Sequence, residues 1–392
     1  MAFTLYPVTG EDFIGRKPLL EELINELSSK NKIGYSLSGI RRVGKTSILK
    51  EVKLKLEVQG ILTIYLSSWR ILPKTIDEFT KVLTRTALAE FHDRLPVSFR
   101  FEELLDTGVK ALTRILSSLK LSAKVVSDLE VSISYIRRES DDVEAAITTS
   151  FALIEHLAEM TKSKCILMLD EFPSLVDLSY GSKNQKIGEG IIQLLRTLVE
   201  EFKYTKLVVS GSFRTTLNNL VAKQKAPFYK QLLLREVLPF NEKEFNEFLS
   251  HYLPTVRFKD DETRKMLYVV SSGIPYNLHL LGREIQLEEL KVIDEPELQR
   301  MIIDVLKKEG ELSFKEYVEG LQPSEIKVLK ALARLPEAKP VEIAKREFME
   351  NDTVNRALTV LNNRAIIRRK SRAQYVFTDN LFAGWLRTTE IF

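Results

Sequence analysis

Apolar and polar positions alternate in two rhythms along this chain. Leu19, Leu20, Leu23, Ile24 and Leu27 follow Pro18 at the spacing of an amphipathic helix with proline in its first turn. Ile33 to Ser38 reads as a short buried strand, followed by a glycine loop and a helix from about Thr46 that stops at Gly60. Ile61 to Ser67 is a second strand. Thr75-Ile76-Asp77-Glu78 is a capping box that opens a helix towards Arg94. Val126 to Ile136 alternates apolar and polar residues and predicts a strand with one wet face. Asp141 to Lys162 reads as a long helix, Cys165 to Leu169 as a strand covered on both faces, Gly188 to Lys203 as a helix, and Lys206 to Val209 as another buried strand.

Strands that alternate with helices predict βαβ crossovers and a doubly wound parallel sheet, an α/β domain over residues 1–239. Past Pro239 the strand signal disappears. Asn241 to Glu244 starts a run of helices that predicts a helical lid over 240–310. Gly310 and Gly320 bracket a linker helix. Ser324 to Leu335, Pro340 to Glu347 and Asp352 to Asn363 read as three short helices. Ile366 to Lys370 and Gln374 to Thr378 read as a hairpin, so 311–392 predicts a winged helix-turn-helix.

Composition narrows the class. The 392 residues are 44% hydrophobic and 29% charged, as in soluble globular chains, which excludes a disordered, collagen-like or disulfide-scaffold protein. The single cysteine, Cys165, can form no internal bridge, so a reducing, cytoplasmic setting is expected. No signal peptide is expected, and no run approaches the roughly 20 apolar residues of a membrane span. Net charge is +4, yet residues Leu321 to Phe392 carry 13 Lys+Arg against 8 Asp+Glu. The basic excess therefore sits in the last fifth of the chain, which suits an anionic partner.

The candidate chemistry lies in the first domain. Gly39-Ile40-Arg41-Arg42-Val43-Gly44-Lys45-Thr46 fits G-x-x-x-x-G-K-[ST] between a strand and a helix. Glycine lets the backbone curl round phosphate oxygens, and the amides from Arg42 through Val43, Gly44, Lys45, Thr46 and Ser47 then face an anion at a helix N-terminus. Lys45 reaches the β- and γ-phosphates, and the Thr46 hydroxyl ligates Mg²⁺. Asp170 and Glu171 close a buried strand where ligands bind in such sheets. Asp170 is expected to hold Mg²⁺, and Glu171 to orient and deprotonate the attacking water. Ser210 or Ser212 would place a hydroxyl near the γ-phosphate. The four histidines are far apart, and with one cysteine no zinc spacing exists.

Taken together, these residues resemble the archaeal ATPase family of P-loop proteins, in the STAND branch related to AAA+ ATPases. The resemblance begins at Phe13-Ile14-Gly15-Arg16 and continues through Gly39 to Thr46, Asp170-Glu171 and Ser210-Gly211-Ser212. It includes Arg235 ahead of Leu238-Pro239-Phe240, and ends at Gly273-Ile274-Pro275 and the C-terminal winged helix. The chain departs from the family at Lys17-Pro18, which replaces the family's acidic residue after the opening arginine, and at Ser272, where a first glycine is common in the family. The resemblance implies that Phe13 and Ile14 lie near the adenine and that Pro275 touches the nucleotide from the lid. It makes Arg235 a candidate for stabilising the transition state; Arg214, directly after a strand tip, is another. Arg41 and Arg42 add positive charge near phosphate or a partner.

In the C-terminal module Asn355, Arg356, Thr359, Asn362, Asn363 and Arg364 would form the polar side of a recognition helix. Arg368, Arg369, Lys370 and Arg372 would form the wing. The expectation is an ATP-binding, Mg²⁺-dependent ATPase whose nucleotide state repositions the winged helix for DNA contact. The alternative is a nucleotide-gated scaffold that recruits a protein, turns over little ATP and binds no DNA. Oligomeric state is open.

Overall fold

The computed structural model describes residues 2–95, 116, 121–137, 141–180, 185–211, 217, 220–221, 226–336, 338–371 and 373–388. Three candidates, Ser212, Arg214 and Arg372, lie outside the described residues.

Five strands form one parallel sheet: β1 (Gly34–Ser38), β2 (Leu62–Ser67), β3 (Cys165–Asp170), β4 (Thr205–Gly211) and β5 (Leu232–Glu236), in the order β2-β3-β4-β1-β5. Leu37 pairs with Ser210 on one side and Arg235 on the other, while Cys165 pairs with both Leu62 and Thr205. All carboxyl ends therefore fall on one edge, and β4 ends between β1 and β3. The sheet faces show in β3: Cys165, Leu167 and Leu169 pack into one core while Ile166 and Met168 pack into the other. This two-residue period divides a continuous apolar run between two helical layers.

Helices α1 (Lys17–Ser28) and α2 (Lys45–Val58) cover one face. The other carries α3 (Ile76–Phe91), α4 (Ala123–Ile136), α5 (Val143–Thr161) and α6 (Gly188–Glu201). Thr75 caps α3 by accepting from the Glu78 amide at 3.4 Å. The strand expected over 126–136 is instead α4. Its sequence alternates, but Val125, Leu129 and Ile133 also recur every four residues and are fully buried. Packing against α3 and α5 selects the helical period over the two-residue one.

Past Phe240 the chain forms α7 (Glu242–Tyr252), α8 (Asp261–Ser271), α9 (Pro275–Leu287) and α10 (Glu295–Val318). Strands do not vanish entirely, since Arg257–Phe258 pairs with Val292–Ile293. Then come α11 (Pro323–Arg334), α12 (Pro340–Glu347), α13 (Asn351–Asn363), the antiparallel hairpin β6 (Ile367–Ser371) and β7 (Gln374–Phe377), and α14 (Asn380–Thr388). Helices α11–α13 with the β6–β7 hairpin have the winged-helix arrangement.

The boundary expected near 310 falls inside α10. Gly310 is a mid-helix residue against which Trp385 of α14 packs; a Cβ there would lie 2.2 Å from the indole. Phe314, Phe382 and Trp385 join Leu281, Ile285 and Met301 in one apolar core, so the helical segment and the winged helix form a single body. No helix among the described residues is long and apolar enough to cross a membrane.

Candidate active site

The loop between β1 and α2 is shaped by backbone requirements. A Cβ on Gly39 would lie 2.6 Å from the Val237 carbonyl oxygen. Arg42 and Gly44 take left-handed φ values of 64° and 97°, which curl the chain into the first turn of α2. Arg16 braces the loop from outside, donating to the Val43 carbonyl at 3.2 Å, while Glu244 of α7 accepts from its amide at 2.8 Å. Lys45 is buried under the loop, and its Nζ donates to Gly39 O and Ile40 O at 3.2 and 2.9 Å. Burial pushes its pKa down to about 8, against the opposing pull of Glu171 and Asp170.

Asp170, at the carboxyl end of β3, is 3% exposed. Its carboxylate accepts from Thr46 Oγ1 at 2.8 Å, from the Tyr65 hydroxyl at 2.7 Å and from the Ser210 hydroxyl. Burial beside this carboxylate raises the Tyr65 phenol. The next residue, Glu171, has φ 52°, and its carbonyl accepts from Ser68 and Ser174 hydroxyls at 2.9 Å each. This turn sets Glu171 in the wall of a cleft of about 820 Å³ that Lys45, Thr46, Ser47 and Arg42 also line. Thr46 and Asp170 are a pair of hard oxygen donors in direct contact, with Glu171 beside them. Among the described residues no group of three His, Cys, Asp or Glu could hold a metal by itself. Such a pair fits Mg²⁺, which takes one or two protein oxygens and completes its shell with water and phosphate.

The cleft continues into a narrow, mainly apolar slot lined by Phe13, Ile14, Val43, Ile48, Phe240 and Pro275. Val8, Gly44, Ser47, Pro275 and His279 border both compartments. Sequence-chosen residues from the N-terminus, the loop and α9 thus converge here.

The chain is similar to the structure of a Walker-type ATPase of Pyrococcus abyssi, at 20% identity and a TM-score of 0.66, covering 99% of this chain and 100% of that one. It is also similar to the ORC2 protein of Aeropyrum pernix, solved as ADPNP–ADP complexes, at 11% identity and a TM-score of 0.56, covering 95% and 92%. The chain matches no protein-family model and no curated protein.

Other sequence candidates sit elsewhere. Arg235 donates through Nε to both Glu22 oxygens, at 2.8 and 3.0 Å, and lies over the Tyr35 ring. It is not among the residues that line the cleft. Three contributors have no motif of their own: Tyr65 on β2, the segment Thr4 to Val8, and His279 on α9. The Val8 amide donates to Ser47 Oγ at 3.2 Å, so that segment lies across the start of α2. His279 packs among Phe3, Phe248 and Tyr252, and burial pushes its pKa down to about 4.

Proposed function

We propose that this protein binds Mg-ATP in the continuous cleft and hydrolyses it. The observation that carries the reading is the meeting of Lys45, Thr46, Asp170 and Glu171 at one end of a cleft whose other end is apolar. In this reading the purine packs against the apolar side chains of Phe13, Ile14 and Pro275. The loop amides and the Lys45 ammonium bind and orient the phosphates at the α2 N-terminus. Mg²⁺, held by Thr46 and Asp170, would neutralise charge on the phosphate oxygens.

Glu171 holds a water in line with the γ-phosphorus and takes its proton as the new P–O bond forms. The bond to the bridging oxygen breaks, leaving ADP and phosphate. Tyr65 and Ser210 hold the Asp170 carboxylate in its orientation. Glu171→Gln should retain Mg-ATP binding and lose turnover by a factor of about 100 or more, read as steady-state phosphate release. A variant that hydrolyses at the parental rate contradicts the role of Glu171. A parent that binds ATP tightly with negligible release favours the gated-scaffold reading.

The exposed positions of the last domain support a nucleic-acid partner. Asn355, Arg356, Thr359, Asn362 and Asn363 on α13 are exposed, as are Arg368, Arg369 and Lys370 on β6. A helix face of this kind reads base edges while wing cations contact phosphates. In this reading nucleotide state changes how the C-terminal body docks on the sheet domain and so presents that face.

A further inference from the structure

Two residues of the phosphate loop reach the C-terminal body with their side chains, Arg42 from the wall of the cleft. Arg41 Nη1 lies 2.9 Å from one oxygen of Glu316, and Arg42 Nη2 lies 2.9 Å from the other. One carboxylate on α10 therefore ties both guanidinium groups. Arg42 also packs over the Tyr276 ring at 4.4 Å and lies 5.8 and 5.7 Å from the rings of Phe314 and Tyr317. Its side chain is 17% exposed, and Nη1 is buried with no hydrogen-bond partner. Among the described residues, Glu316 is the acid that accepts from this guanidinium, through Nη2.

The backbone under this side chain is in a costly conformation. Arg42 has φ 64°, a region that glycine enters freely and residues with a Cβ avoid. That turn aims the amides of Val43, Gly44 and Lys45. An anchor for the Arg42 side chain offsets the backbone strain and keeps the amides aimed.

We propose that Glu316 is a positioning residue for the phosphate site: from the helix that carries the winged helix, it fixes the left-handed turn of the loop through Arg42. The inference rests on the nucleotide reading above and names how that site is regulated. Phosphate occupancy and docking of the C-terminal body then stabilise each other, since a coupling between two sites acts equally in both directions. Glu316 itself lines neither compartment of the cleft.

The test is a double-mutant cycle on the full-length protein, with Mg-ATP affinity read by calorimetry. Glu316→Gln should weaken binding about threefold to tenfold, with the loss appearing in KM and not in kcat. In an Arg41→Ala/Arg42→Gly background, whatever its own affinity, Glu316→Gln should have no further effect, because glycine takes the turn without an anchor. Thermal melting shows whether each variant is folded, and Glu316 is exposed enough to be replaced without disturbing a core. Unchanged affinity in Glu316→Gln, or an equal loss in both backgrounds, overturns the proposal. A parent that does not bind Mg-ATP removes the nucleotide reading and this inference together.

Discussion

At the scale of single residues, the site depends on a buried carboxylate that three hydroxyls satisfy. Tyr65→Phe removes one donor to Asp170 without changing volume. The expected cost is about 1–3 kcal/mol of folding stability, measured by chemical denaturation; a variant as stable as the parent would mean that the tyrosine contributes nothing. His279 makes a pH prediction. Its imidazolium is disfavoured by burial, so the folded chain protonates it near pH 4, whereas an unburied ring does so near 6.5. The contribution is complete above 6.5 and is lost as pH falls from there to about 4. His279→Gln should therefore lose less melting temperature than the parent across that window; parallel curves would contradict it. Lys45, Thr46 and Asp170 were legible in the sequence because their chemistry fixes residue type at fixed spacing. Tyr65 and His279 were not, because they reach the site through tertiary packing that no local pattern records.

Elements were legible where only one period fits. The β3 run and the helix after the loop read directly from their residues. Ala123–Ile136 fits both periods, and the layer it joins decides between them. Leu232–Glu236 gives no clear strand signal, since an edge position leaves Leu233 and Leu234 each 40% exposed and blurs the burial pattern. Gly310 misled in a different way. A glycine reads as an end of a helix, but here it is a mid-helix site of close approach by Trp385. Gly310→Ala improves helix propensity yet drives a methyl group into the indole. The net effect should be destabilisation of about 1–3 kcal/mol, seen as a lower melting temperature. A rise would mean that α10 and α14 are not closely packed in solution.

At the scale of the molecule, one apolar core runs from α7 to α14, so the helical segment and the winged helix share their packing. The sequence suggested separate units because turn signals surround Gly310 and Gly320, but a shared core is a property of packing and leaves no mark on local pattern. Three of the basic residues of 321–392, Arg368, Arg369 and Lys370, are exposed on the wing strand. Binding to duplex DNA should weaken steeply with salt. Replacing Arg368, Arg369 and Lys370 by alanine should lower the slope of log K against log salt by about one for each phosphate that is no longer neutralised. Fluorescence anisotropy of a labelled duplex checks this, and a parent with no salt-dependent binding rules out the DNA role.

The roles given to Glu171 and Glu316 rest on a nucleotide in the cleft. The most direct measurement is a crystal structure at saturating Mg-ATP or a non-hydrolysable analogue. The account expects the triphosphate on the amides of Gly39 to Ser47, with Lys45 at the terminal phosphates and the base between Phe13, Ile14 and Pro275. A loop that stays empty at saturation, or a triphosphate bound elsewhere, would contradict it.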